Sequence, residues 1–101
     1  TDWCPHCRAY QEAFVDPRVI DYADDFVFVI MDRDAEEALT ASIAPDGNYI
    51  PRTMILSAEG AVLERLAPRW LGPARFALRP PYADALAKYL DWVATQPEFP
   101  Q

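Results

Sequence analysis

With 101 residues, 51% of them apolar, the chain suffices for one domain with an ordinary buried core and needs no cross-links to fold. A formal net charge of −7 and a single lysine, Lys88, exclude the clustered basic surface that nucleic-acid binding requires. No apolar run reaches the roughly eighteen residues of a membrane helix, so membrane insertion is not expected.

Trp3-Cys4-Pro5-His6-Cys7 leads into a stretch whose apolar residues recur at helical spacing, which predicts a helix over 5–14. Pro5 suits its first position, where the missing N–H costs nothing and the fixed φ is already helical. Asp16-Pro17 breaks that helix, and 18–24 read as another short one. Residues 26–31, Phe-Val-Phe-Val-Ile-Met, are β-branched and aromatic without interruption, the pattern of a central parallel strand buried on both faces. A modest helix is expected over 34–43 until Pro45 ends it, followed by turn chemistry at Asp46-Gly47-Asn48. Thr53-Met54-Ile55-Leu56 predicts a second buried strand. Glu59-Gly60 turns it, and 62–66 return as a hairpin partner with Glu64 and Arg65 outward.

Residues 67–81 hold four of the ten prolines and read as a loop around Trp70 and Phe76. Its arginines, 69, 75 and 79, are expected to pack with it onto the core, the alternative being a substrate groove. Tyr82, Leu86, Tyr89, Leu90 and Val93 then repeat at three-to-four spacing, an amphipathic helix that Gln96-Pro97 stops. There is no repeat and no linker, so residues 1–101 form one domain.

The chemistry lies in the two cysteines. Spaced Cys-x-x-Cys, they close almost no loop, so a bond between them would remove little unfolded-state entropy and serves reactivity rather than stability. Zinc would need four ligands, and Cys4, Cys7 and the sole histidine, His6, supply three at most. If Cys4 caps the first helix, its sulfur accepts hydrogen bonds from the amides two and three residues on and sits at the positive end of the helix dipole. Cys7, one turn further in, can reach that sulfur and is expected to be the better shielded. Cys4 then attacks a substrate disulfide as thiolate and Cys7 resolves the mixed disulfide, or the steps run in reverse. Shifting a dithiol from a reducing to a strongly oxidising potential takes about 7 kcal/mol, of which a helix terminus gives about 0.3 to 2. His6 is the candidate for further tuning of the sulfur, as an imidazolium beside it. Asp32 and Asp34 read as solvated loop carboxylates, and Glu37 stands where a calcium loop demands Gly.

At these residues the chain resembles the thioredoxin superfamily. Trp-Cys-x-x-Cys followed downstream by Ile50-Pro51 and a strand resembles its active site and cis-proline loop. Residues 44–52, with the strand after them, look like the small endoplasmic-reticulum thioredoxin and anterior-gradient group and its bacterial relatives. Cys-Pro-His-Cys itself is similar to the motif of DsbA-type periplasmic oxidases. The resemblance implies an α/β fold, a mixed sheet with helices on both faces, and a cis Pro51. It further implies Trp3, Tyr49, Ile50 and Pro51 as the surface for an extended substrate segment, protein or peptide thiols and a redox partner protein as partners, and no organic cofactor. A strand normally runs directly into the cysteine-bearing helix, between the two strands assigned here. None is present, so one more strand is expected upstream of Thr1, from this protein or another chain. A motif with no further cysteine to misoxidise suits a periplasmic or other extracytoplasmic space. The rival readings are a client-binding, chaperone-like module on the same fold and a reductase serving one specific partner.

Overall fold

A computed structural model describes residues 3–47, 49–69 and 74–99. Four α-helices carry it: α1 (Pro5–Glu12), α2 (Pro17–Ile20), α3 (Glu37–Ser42) and α4 (Tyr82–Val93), with 3₁₀ turns at Ala13–Val15 and Glu64–Leu66. Both α1 and α2 begin on a capping residue followed by proline. Asp16 caps α2 through a 2.9 Å bond from the Arg18 amide, as Cys4 caps α1 through its sulfur. The helix expected over 34–43 starts three residues later. The Asp32 carboxylate takes the amides of Asp34 (2.9 Å) and Ala35 (3.3 Å) and closes a turn there instead.

The core lies where α4 meets α1 and α2. Leu86, Tyr89, Leu90 and Val93 of α4 are almost wholly buried, together with Val19, Leu66 and Phe76. Their spacing puts one stripe of the helix inward. The Tyr89 hydroxyl donates to the Leu66 carbonyl, which satisfies the one polar atom this stripe carries inside. Phe76 of the 67–81 loop is buried, and Leu78 is the residue of that loop that joins this cluster. Arg75 of the same loop is held by Glu64 (3.0 Å) and by Asp46, whose carboxylate also accepts from the Arg75 amide. Trp70 lies outside the described residues.

The strand-forming segments behave differently. Among the described residues the only ladder contact is one antiparallel bridge, Leu56 to Val62, and residues 64–66 turn as 3₁₀ rather than continuing a hairpin. Residues 26–31, expected to be buried on both faces, bury only part of one. Phe26 and Phe28 turn inward, with Phe28 edge-on to Phe14 at 5.6 Å and Phe26 against Phe99 at 5.1 Å, but Val27 is 93% exposed and Val29 73%. The backbone of residues 27–31 makes no backbone hydrogen bond among the described residues. The reason is physical: a helix closes its own hydrogen bonds, whereas a strand acquires structure and burial only from neighbours on each side.

Between residues 26–31 and 53–57 lies an apolar groove of about 870 Å³, floored by Leu66, Leu86, Leu90 and Val93. Thr53 and Ser57 donate to Phe76 and Ala61, and Ile55 accepts from Leu63, so residues 53, 55 and 57 spend their backbone groups on one edge. By strand alternation, the amides and carbonyls of Met54 and Leu56 face the other.

Candidate active site

The N-terminus of α1 holds the two sulfurs. Cys4 has the extended backbone of a cap residue (φ −93°, ψ 109°), and its Sγ accepts the Cys7 amide at 3.2 Å, while the Arg8 amide bonds the Cys4 carbonyl at 3.1 Å. Both thiols are free. Burial works against ionising Cys4, yet bonds from the Cys7 thiol and from the Cys7 and His6 amides prevail and hold it below the ordinary thiol range. Cys7 moves the other way. Its burial, reinforced by the neighbouring Cys4 sulfur, pushes it up to about 11. One sulfur is therefore prepared as nucleophile and its partner is kept as a protonated thiol.

The expected difference in shielding is not found, since Cys4 is 6% exposed and Cys7 8%. The asymmetry is electrostatic: both residues sit under the same first turn, but only Cys4 caps it. The residues flanking Cys4, Trp3 and Pro5, are exposed, as is His6, so solvent reaches the rim of the pair.

The other residues singled out from sequence divide into two groups. Trp3 lies over the 32–36 turn, its indole N–H donating to Asp34 at 2.6 Å with the Arg33 guanidinium 5.3 Å from its ring. Asp34 is thus an anchor for Trp3 rather than a merely solvated carboxylate, and Asp32 forms the turn that presents it. His6 contacts Tyr82 of α4, with Nδ1 3.1 Å from the phenol oxygen. The second group is the segment through Pro51. The Ile50–Pro51 peptide is cis, and both residues are half-buried. The Tyr49 side chain faces inward, its hydroxyl donating to Asp46 (2.7 Å) and accepting the Phe76 amide (2.9 Å). It braces the loop against Asp46 and Phe76. Among the described residues no hydrogen bond joins 49–51 to the cysteines. The tie between the groups is Tyr10 of α1, whose hydroxyl bonds Thr53, two residues beyond Pro51.

Tyr10, Thr53 and Tyr82 are not singled out for the site by sequence, and the structure joins them to it. Tyr10 lies three residues after Cys7 on the helix, a phenol on a buried face, and that spacing is the available signal. Among the described residues no cluster of three His, Cys, Asp or Glu side chains is arranged to hold a metal.

A helix capped by a cysteine, with a second cysteine one turn in, is tied through Tyr10 to the segment that follows Pro51. The chain belongs to the thioredoxin-like family, whose pattern it matches over residues 1–58, more than half its length. No solved structure matches it.

Proposed function

We propose that the protein is a thiol–disulfide oxidoreductase acting on protein or peptide substrates. The observation that carries this reading is the opposed preparation of the two sulfurs, Cys4 lowered and Cys7 raised, one helical turn apart. The Cys4 thiolate attacks one sulfur of a substrate disulfide and expels the other as thiolate. Cys7, giving up its proton, then attacks Cys4 Sγ in the mixed disulfide, which frees the second substrate thiol and leaves a Cys4–Cys7 disulfide. Oxidation of a substrate dithiol is the same sequence reversed. The backbone of residues 49–51 serves the extended substrate segment, an extracytoplasmic space is the setting, and a separate redox partner resets the pair. Insulin reduction or dithiol oxidation tests the reading. Alkylating Cys4 is expected to abolish both, and Cys7→Ser to leave a trapped mixed disulfide. Activity that survives alkylation of Cys4 would overturn it.

The same reading implies a thioredoxin-type sheet. We propose that the groove between residues 26–31 and 53–57 is the seat of a strand that runs into α1 through Trp3. In support, among the described residues the backbone groups of 27–31, and those that Met54 and Leu56 turn to the groove, have no backbone partner, and the floor is apolar.

A further inference from the structure

His6 is exposed in the first turn of α1, where an unrestrained side chain would exchange freely among rotamers. It is not unrestrained. Tyr82, the first residue of α4, brings its hydroxyl to 3.1 Å from Nδ1 and sets its ring nearly perpendicular to the imidazole, with centroids 6.4 Å apart. The Tyr82 ring packs in turn on Tyr10, 5.5 Å away, and Tyr10 is buried and fixed by Thr53. The hydroxyl therefore stands on a braced support. A phenol both donates and accepts, so the contact holds whichever ring nitrogen carries the proton.

We infer that Tyr82 is a positioning residue of the redox site, holding His6 through Nδ1 so that the imidazole keeps one orientation at the start of α1 throughout the thiol–disulfide cycle. The inference rests on the exchange reading of Cys4 and Cys7. Burial, then the charge of thiolates at Cys4 and Cys7, pushes Tyr82's own ionisation up, which places the phenol within electrostatic reach of both sulfurs and keeps it a neutral hydroxyl. The other titratable groups around it are Tyr10 of α1, Arg33 of the 32–36 turn, which acts on Cys7, and Asp84 of α4, which is paired with Arg18 at 2.8 Å. Among the described residues, the hydrogen bond at His6 Nδ1 is the one with the Tyr82 phenol.

Tyr82→Phe keeps the ring packing and removes only the oxygen. On this inference a freed imidazole supports the Cys4 thiolate less, so that the Cys4 pKa is expected to rise, with roughly two- to ten-fold less thiolate at a fixed pH below it. In a His6→Ala background the same change is expected to shift the thiolate fraction by less than about two-fold. Proton–proton NOEs between the His6 and Tyr82 rings are expected in the unmodified protein, a readout independent of whether the variant folds. An equal shift in both backgrounds would mean that the phenol acts on sulfur directly. That result, an unchanged Cys4 in Tyr82→Phe, or the absence of His6–Tyr82 ring contacts in solution would each overturn the inference. Unmodified protein inactive in both insulin reduction and dithiol oxidation would instead sink the exchange reading itself.

Discussion

Leu90 and Val27 are both apolar, yet Leu90 is 2% exposed and Val27 93%. The difference is one of secondary structure rather than of hydrophobicity. The helices of the domain satisfy their own backbones and need only a face to bury, so α1, α2 and α4 close a core together. The strand-forming segments 26–31 and 53–57 have as much apolar character but depend on neighbours for every hydrogen bond. For α4 and residues 26–31, burial of an apolar residue therefore follows from whether the element is self-sufficient.

That comparison can be broken by mutation. Leu90→Ala is expected to cost about 2–5 kcal/mol in urea unfolding, because it empties a filled site. Val27→Ala in the same chain should stay within about 0.5 kcal/mol, as exposed substitutions do. A comparable loss at both positions would show that 26–31 are packed after all. Fusing an alternating apolar strand ahead of Trp3 sharpens the point. It should slow hydrogen exchange at the amides of 27–31 and of Met54 and Leu56, and unchanged exchange would contradict the seat proposed for it.

A smaller effect separates the sulfurs themselves through pH. Cys4 is depressed in the folded protein below its model-compound value of 9.0, so between its folded pKa and about 9 the unfolded chain binds more protons and stability of the reduced protein rises with pH. Cys7 is raised to about 11, so its contribution is complete below about 9 and is lost as pH climbs through 11. The reduced protein should gain urea resistance up to about pH 9, relative to the disulfide form, and lose it beyond. A flat difference between the two forms would contradict the opposed shifts.

The parts of the molecule that could be read from sequence are those set by near neighbours. Pro5 marks the start of α1, and the three-to-four spacing of Leu86, Leu90 and Val93 marks the buried stripe of α4, because both signals act within a few residues, whereas the helix read over 18–24 is the shorter α2, opened by Pro17 itself. The β-branched run at 26–31 announced a strand, but its burial is a property of partners and could not be read from the run alone. The cysteine spacing pointed to the site. Its supports did not: Tyr82 reaches His6 from 76 residues away, and Tyr10 reaches Thr53 across 43, distances over which no periodicity carries information. Asp34 looked like an ordinary loop acid because its partner, Trp3, is 31 residues distant.

The most direct test is a pH titration of thiolate absorbance in the reduced protein, with Cys7→Ser to assign the steps. Two separate ionisations are predicted, Cys4 below the ordinary thiol range and Cys7 near 11. A single step with both thiols ionising together at the ordinary value would contradict the account.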